Sequence, residues 1–254
     1  MGREIRFSFP PKRIISLVPS QTELLFDLGL GPEVVGITKF CVHPIESVKS
    51  VTKIGGTKKF NFARIEALNP DLIIGNKEEN YEEGIKALSE KYPVWMSDIY
   101  TLPDAYEMML KVGAITGRVA KAREIKTKIE KSFKEISSDT NGKVAYIIWK
   151  DPIMVAGKNT FIHEMLKAAG FENAFEHLSR YPVVTFEDLK ITSPDFIFLS
   201  SEPYPFKEKH IKEFTEVSPE QKIKLVDGEI FSWYGSRLLK AVSYFHNLNS
   251  EFQK

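Results

Sequence analysis

A stretch of twelve residues occurs twice in the chain, as ARIEALNPDLII at residues 63–74 and as EDLKITSPDFIF at residues 187–198. The copies align without a gap, and each is typical of a short helix, a Pro-Asp turn and a buried strand. A Pro-Asp turn before a strand is common, so that one copy alone would be weak evidence. Two copies, one on either side of a long helical segment, favour two related α/β lobes.

Short β-branched runs alternate with helical stretches along the rest of the chain. The predicted strands cover residues 13–18, 34–37, 71–75, 92–95, 143–149, 153–156, 195–199 and 223–226. The predicted helices cover residues 21–28, 61–68, 81–88, 161–169, 186–190 and 235–248. Strands that are apolar along nearly their whole length and lie between helices are typical of parallel sheets covered on both faces. The predicted fold class is therefore α/β, with mainly parallel sheets.

The segment from Pro103 to Ile136 has no strand pattern and carries one apolar stripe in steps of three and four residues. Its charged face is expected to be solvated. A helix of this length is about 30 Å long, enough to join two lobes, and Gly117 could form a joint in it. The predicted domains are an N-terminal α/β lobe at residues 1–102, a helical connector at 103–142 and a C-terminal α/β lobe at 143–254.

Composition excludes several classes of protein. The 254 residues are 43% hydrophobic and 27% charged, as in an ordinary globular protein, with 35 Lys+Arg against 34 Asp+Glu. A net charge of +1 offers no general field for nucleic acid or an anionic membrane. The single cysteine, Cys41, excludes an intramolecular disulfide and a Cys-rich metal site. We expect no nucleic-acid binding, no membrane insertion and a monomer.

The N-terminal sequence bears on location. Residues 1–11 carry Arg3, Glu4 and Arg6 and contain no apolar run, so we expect no secretory signal in them. No window of the sequence approaches the eighteen or so apolar residues of a spanning helix. We therefore expect a cytoplasmic protein for the sequence as written, or a periplasmic one if an export signal has been removed.

The motifs of common enzymes are missing from the sequence. It has no phosphate loop, dinucleotide-binding glycine motif, nucleophile elbow or zinc-binding helix motif, and its five histidines are scattered. The run Cys41-Val42-His43 favours a packed thiol beside an exposed imidazole over a pair of metal ligands. We predict no enzyme activity, no catalytic residue and no metal site. For the alternative of an enzyme on this fold, the candidate buried acids and bases are Glu23, Asp98, Glu202 and His43.

Aromatic residues mark the candidate binding site. They fall in the loops that follow strands or begin helices: Phe40, Phe60, Trp149, Tyr204, Trp233 and Tyr234. In open α/β sheets, ligands bind at the carboxyl ends of strands. Lys58, Lys59 and Arg237 add positive charge, which suits a flat and partly anionic ligand. The alternative is that each aromatic side chain covers an edge of the core.

Several segments resemble one family. The opening PKRIISLVPSQTELL at residues 11–25 is similar to the first strand and helix of the class III substrate-binding proteins of vitamin B12, iron-siderophore and haem ABC transporters. It is most similar to the cobalamin-binding branch. Further similarities are Leu28-Gly29-Leu30, Ile54-Gly55-Gly56, the two Pro-Asp copies, the segment from Val226 to Ser232, and Gly235-Ser236-Arg237. They keep the family's order over nearly the whole chain.

The resemblance implies two α/β lobes joined by one rigid backbone helix, here from about Arg118 to Ile136, with a ligand cleft between the lobes. It implies capture of a metal chelate for ABC-type uptake, with a cobalamin-like corrinoid as the first candidate and no covalently bound cofactor. An iron-siderophore or haem is the alternative ligand, and a cytoplasmic chelate-buffering protein without a permease is the alternative role. The predicted ligand contacts are Ser20, Phe40, Lys58, Phe60, Trp149, Tyr204, Trp233, Tyr234 and Arg237.

The resemblance also implies docking to an ABC transporter permease. In the family, a glutamate at the start of the repeated helix in each lobe pairs with an arginine of the permease. The second copy keeps this residue as Glu187, whereas the first copy has Ala63. Glu66 lies three residues later and therefore on the same helix face, so that it could replace the missing glutamate. The predicted docking residues are Glu187 and Glu66.

Overall fold

The computed structural model describes residues 4–136 and 140–252. These residues form two units, each with its own sheet. The first unit comprises the chain up to Ile99 together with Pro103–Ile129 and Tyr234–Arg237. The second comprises Tyr100–Leu102, Glu130–Trp233 and the chain from Leu238 onwards. The chain therefore returns to the first unit for a short segment near its C-terminal end.

The first unit is built on a five-stranded parallel sheet. Its strands, with those of a small hairpin, are β1 (Ile14–Ser16), β2 (Val34–Ile37), β3 (Thr52–Lys53), β4 (Gly55–Gly56), β5 (Lys59–Phe60), β6 (Leu72–Asn76) and β7 (Val94–Ser97). The sheet order is β3-β2-β1-β6-β7, and β4 pairs with β5 in antiparallel orientation. The central strand, β1, is fully buried because it has strands on both sides and helices over its faces.

The second unit repeats this plan with a second sheet. Its strands are β8 (Lys143–Trp149), β9 (Met154–Val155), β10 (Glu172–Asn173), β11 (Phe196–Ser200) and β12 (Lys222–Val226). The order is β10-β8-β11-β12, all parallel, and β9 adds to β8 in antiparallel orientation. The apolar run at residues 143–149 predicted β8 with the bounds that it has, because five of its seven residues are buried. The α/β class and the parallel sheets are confirmed.

Helices follow the strands in both units. Those before residue 136 are α1 (Pro19–Asp27), α2 (Ile45–Val48), α3 (Phe62–Leu68), α4 (Glu82–Ser89), α5 (Leu102–Ile115) and α6 (Val119–Phe133). Those after residue 140 are α7 (Phe161–Ala168), α8 (Phe186–Thr192), α9 (Glu208–Val217), α10 (Gly228–Ser232) and α11 (Leu238–Phe252). Within residues 4–136 and 140–252, none combines the length and apolarity needed to cross a bilayer.

The repeated stretch forms the same local structure in both units. The N-cap residues of α3 and α8, Asn61 and Thr185, each accept a hydrogen bond from the backbone N–H three residues later. Both helices end on a left-handed residue, Asn69 and Ser193, each with φ near 43°. A Pro-Asp turn then leads into a five-residue strand that is buried throughout. The predicted helix, turn and strand are confirmed in both copies.

The aspartate of each copy holds the repeated strand against its neighbour. The Asp71 carboxylate accepts hydrogen bonds from the backbone N–H groups of Lys12 and Arg13, at 2.7 and 2.9 Å. In the second unit, Asp195 accepts one from Lys143 at 2.7 Å. Arg13 and Lys143 in turn donate side-chain hydrogen bonds to the last turns of α3 and α8. The two copies therefore share these hydrogen bonds as well as the sequence pattern.

The expected long helix is interrupted. The segment from Pro103 to Ile136 forms α5 and α6, and the chain turns between them at Gly117, whose φ is +73°. A side chain at Gly113 would place its Cβ 2.3 Å from that of Ala122, so the two helices approach where glycine leaves room. The joint at Gly117 is confirmed, and the helix expected from about Arg118 to Ile136 is α6, whose fifteen residues span about 22 Å rather than about 30 Å.

Candidate functional site

The first unit carries an aromatic and cationic pocket at the carboxyl end of its sheet. A cavity of ≈ 770 Å³ is lined by Lys39, Phe40 and residues 55–62. Phe40, in the loop after β2, is 50% exposed, and Phe62 at the start of α3 is 43% exposed. The Lys39 ammonium lies 4.9 Å from the centre of the Phe40 ring. Aromatic faces and ammonium groups together suit a flat ligand that carries some negative charge.

The hairpin of β4 and β5 forms one wall of this pocket. Lys58 and Lys59 are exposed on it, and Lys58 Nζ donates a hydrogen bond to the carbonyl of Glu78 at 2.6 Å. Phe60 points inward: it is 6% exposed and packs against Tyr81 with ring centres 4.8 Å apart. The structure thus exposes Phe40 and Lys58 in the pocket, whereas Phe60 supports its floor.

A buried polar network lies under the start of α1. The Thr22 hydroxyl donates to the Cys41 thiol at 3.1 Å, and Thr38 lies 3.2 Å from the same sulfur. Burial raises the pKa of the Cys41 thiol. The Ser20 hydroxyl is buried and has no hydrogen-bond partner among the residues that the structure describes. Cys41 is therefore a packed structural thiol, while Ser20 carries a hydrogen-bonding group that its own surroundings leave unused.

Arg237 is buried in the interior of the first unit. Its Nε donates to Glu23 Oε2 at 2.9 Å, and the two side chains are only 7% and 8% exposed. Tyr234, in the same four-residue segment, is 5% exposed. Of the three cations predicted near the ligand, Lys58 and Lys59 are exposed on the pocket wall, whereas Arg237 forms a buried ion pair.

The second unit exposes a different aromatic surface at the carboxyl end of its sheet. Trp149 ends β8 and is 38% exposed. Tyr204 lies in the loop after β11, and its ring meets Trp149 edge to face with centres 5.5 Å apart. Phe206 and His210 pack behind Tyr204, at 4.6 and 5.5 Å between ring centres. This packing fixes the orientation of the Trp149 and Tyr204 rings, and Trp149 presents an exposed apolar face.

Glu202 lies in the same loop and is hydrogen-bonded to Trp233. Its Oε1 accepts hydrogen bonds from Ser232 Oγ and Trp233 Nε1, both at 2.7 Å. Burial raises the pKa of the Glu202 carboxyl; these two hydrogen bonds lower it, and the negative charges of Glu229 and Asp227 raise it further. Trp233 itself is 5% exposed. The sequence marked Glu202 only as a candidate acid for an enzyme, because no motif shows what its partners are.

Two of the other candidate acids have cationic partners. Glu23 is bound to Arg237, and the Asp98 carboxylate accepts from Lys77 at 2.8 Å. His43 lies in an irregular segment after Cys41 rather than on a strand. Among residues 4–136 and 140–252, no group of three or more His, Cys, Asp or Glu residues could hold a metal ion.

The predicted docking residues are both on exposed helix surfaces. Glu187 is the second residue of α8, and Ala63 is the second residue of α3, which confirms that the two positions correspond. Glu66 is also exposed, but its carboxylate lies 3.6 Å from Lys91 Nζ. The first unit therefore presents a partly neutralised glutamate one turn further along the helix.

Two α/β units, each with a parallel sheet and aromatic surface at the carboxyl ends of its strands, define a two-lobed binding protein. A family model described as periplasmic binding protein matches residues 14–222, and the chain belongs to that family. The family resemblance inferred from the sequence is thereby confirmed. The family is one of binding proteins.

Individual proteins are similar over nearly the whole chain. The uncharacterized ABC transporter substrate-binding lipoprotein YvrC of Bacillus subtilis (strain 168) is 27% identical over 258 residues, which cover 95% of this chain and 81% of YvrC. The periplasmic vitamin B12 binding protein BtuF of Vibrio cholerae gives a TM-score of 0.81 at 20% identity, covering 97% of this chain and 100% of BtuF. The periplasmic heme-binding protein RhuT from Roseiflexus sp. RS-1 gives 0.80 at 22% identity, covering 95% and 97%. The two structural likenesses show a shared fold.

These comparisons correct the predicted location. A cytoplasmic protein is wrong, because the family is one of periplasmic binding proteins and the relatives are a lipoprotein and periplasmic proteins. The prediction rested on the charged residues at positions 1–11, which do not report where the protein acts. The alternative role of a cytoplasmic chelate-buffering protein is therefore wrong as well.

Proposed function

We propose that this protein binds a metal chelate outside the cytoplasm and delivers it to an ABC transporter permease, without covalent chemistry. A cobalamin-like corrinoid is the first candidate ligand. The observation that carries the proposal is the exposure of Phe40, Phe62 and Trp149 at the carboxyl ends of the two sheets. Large aromatic side chains left half-exposed at a ligand-binding edge are a surface for a flat ring system.

The corrin ring explains this combination of groups. It has a broad apolar face, which aromatic rings can cover, and an edge of amide side chains, which needs hydrogen-bond donors and acceptors. Lys39, Lys58 and Lys59 supply donors around Phe40. The unpartnered Ser20 hydroxyl supports keeping Ser20 among the contact residues. The buried Phe60, Trp233, Tyr234 and Arg237 contribute by holding the exposed groups in position.

Haem and ferric siderophores are the second candidate class. Both carry negative charge, and the three lysines of the first unit favour them. A corrinoid ranks first because Glu202, a carboxylate at the aromatic surface of the second unit, is unfavourable beside an anionic ligand edge.

Delivery requires docking to the permease, and we assign this to Glu187 on α8 with Glu66 on α3. Their exposure leaves both carboxylates accessible to cationic partners. Since Glu66 is partly paired with Lys91, Glu187 carries the larger share of the contact.

Calorimetric titration tests the proposed function. The protein is titrated with cyanocobalamin, dicyanocobinamide, haem and a ferric hydroxamate siderophore under one buffer condition. We expect a dissociation constant of micromolar or below for at least one corrinoid. No heat of binding from any of the four at about 100 µM would overturn the proposal, and tightest binding of haem or the siderophore would replace the corrinoid with that class.

A further inference from the structure

The loop after β11 holds the carboxylate of Glu202 in one orientation. The Ser200 hydroxyl donates to the Glu202 carbonyl at 2.6 Å, and Ser201 Oγ accepts from the Gly228 backbone N–H at 2.9 Å. The side-chain oxygen Oε1 accepts from Ser232 and Trp233. The backbone around Glu202 is therefore held by Ser200 and by the start of α10, and its side chain is held by the residues at the end of α10.

The second carboxylate oxygen is available. The hydrogen bonds to the Glu202 side chain from residues 4–136 and 140–252 all go to Oε1, and the side chain is only half-buried. An ionised carboxylate accepts about four hydrogen bonds in total. Oε2 can therefore receive a donor from a bound molecule without breaking any contact that orients the residue.

The charges around Glu202 make it selective for donors. Asp227 and Glu229 are the charged groups that act on it from the neighbouring α10 segment, and both are negative. The Asp227 backbone N–H donates a hydrogen bond to the Tyr244 hydroxyl of α11 at 2.9 Å, and Tyr244 adds no positive charge. A second carboxylate brought to Oε2 would be repelled by the negative charge of Glu202, whereas a neutral N–H donor would be stabilised.

We infer that Glu202 is a specificity-determining residue that accepts a hydrogen bond from a primary amide on the edge of the chelate and disfavours a carboxylate in its place. This inference rests on the proposed function and narrows it: the ligand is an amide-edged corrinoid rather than a carboxylate-edged ring. The aromatic pair of Trp149 and Tyr204 lies beside Glu202 in the chain's fold, since Tyr204 follows two residues later and its backbone N–H contacts the Ile148 carbonyl. The ring would cover the aromatic surface while its edge meets Oε2.

Three corrinoids that share one ring test the inference. Dicyanocobinamide carries amides, cobyrinic acid carries carboxylates at the same positions, and the heptamethyl ester of cobyrinic acid carries neither charge nor N–H donors. In calorimetric titrations of the unaltered protein, we expect dicyanocobinamide to bind at least about tenfold more tightly than the ester, the effect of one hydrogen bond to a charged group. Equal affinity for the amide and the ester would overturn the inference.

The variant Glu202→Gln removes the charge and keeps the shape. We expect the preference for dicyanocobinamide over cobyrinic acid to fall at least about threefold in this variant, because the repulsion of the carboxylate is lost. Glu208→Gln, which removes an exposed charge on α9, should leave the preference unchanged. An unchanged preference in Glu202→Gln overturns the role of Glu202 alone, whereas no binding of any corrinoid to the unaltered protein overturns the proposed function and this inference with it.

Discussion

Arg237 and Glu23 form a buried ion pair, with Nε and Oε2 2.9 Å apart, although 214 positions separate them in the sequence. The pair fastens the returning segment Tyr234–Arg237 to α1 of the first unit. Breaking a buried pair by removing one partner leaves an uncompensated charge and costs about 3–5 kcal/mol. Its role in the proposed function is to hold the start of α1, and with it Ser20, in place.

Glu23→Gln is therefore expected to lower the free energy of unfolding by about 3–5 kcal/mol, measured by urea denaturation. The matched control is Glu46→Gln, which breaks the exposed Lys49–Glu46 pair, whose side chains are 63% and 83% exposed. An exposed pair contributes about 0–1 kcal/mol. Equal losses in the two variants would show that the Arg237–Glu23 pair has no special role.

Truncation of the exposed aromatic side chains should weaken chelate binding and leave folding intact. Phe40→Ala and Trp149→Ala each remove a ring of which about half is left for a ligand to cover, which contributes about 1–1.5 kcal/mol and corresponds to a roughly fivefold to tenfold loss of affinity. Ile191→Ala is the control, because Ile191 is 75% exposed and lies near the end of α8, away from the carboxyl ends of the strands. The comparison uses calorimetry and thermal melting. Unchanged affinity in both aromatic variants would contradict the assigned surfaces.

The difference in stability between Glu202→Gln and the unaltered protein should depend on pH. Because burial raises the pKa of Glu202 in the folded state, the folded protein binds its proton more tightly than the unfolded chain does. That contribution to stability is present below the unfolded pKa and is lost as the pH rises through the folded pKa. Glu202→Gln should consequently gain melting temperature relative to the unaltered protein between pH 4 and pH 8. A difference that stays constant over this range would show that Glu202 titrates normally.

Docking should depend on the first turn of α8. In liposomes that hold the cognate permease, Glu187→Lys is expected to reduce the ATP hydrolysis that the loaded binding protein stimulates, because it reverses a charge that meets a cationic partner. Ala63→Glu should increase stimulation, since it restores the corresponding charge on α3. Glu220→Lys, the same change at another exposed position, serves as control. An equal effect of Glu187→Lys and Glu220→Lys would contradict the docking assignment.

Sequence patterns predicted the elements whose side chains are buried along their whole length. β8 and β11 are examples, because a strand covered on both faces is a continuous apolar run. Helix α9 was missed: its buried side chains are His210 and Phe214, four residues apart in an otherwise polar stretch. His210 is held by the Lys207 backbone N–H, which donates to its Nδ1 at 2.8 Å. A single i, i+4 pair that includes a histidine is too weak a pattern to indicate a helix.

The candidate site was predictable to the extent that position along a strand determines it. Phe40 follows β2 and Trp149 ends β8, and the structure exposes both side chains. Arg237 was counted among the ligand-facing cations because its partner, Glu23, lies near the other end of the sequence and no local pattern connects them. Glu202 is a similar case, since its donors, Ser232 and Trp233, come from a distant segment.

Competitive equilibrium dialysis tests the central claim most directly. The protein occupies one chamber, and cyanocobalamin, haem and a ferric hydroxamate siderophore are supplied at equal concentration to both. Visible absorbance then reports which chelate accumulates with the protein, because the three have distinct spectra. The account predicts selective accumulation of the corrinoid. Equal concentrations of all three chelates in the two chambers would contradict it.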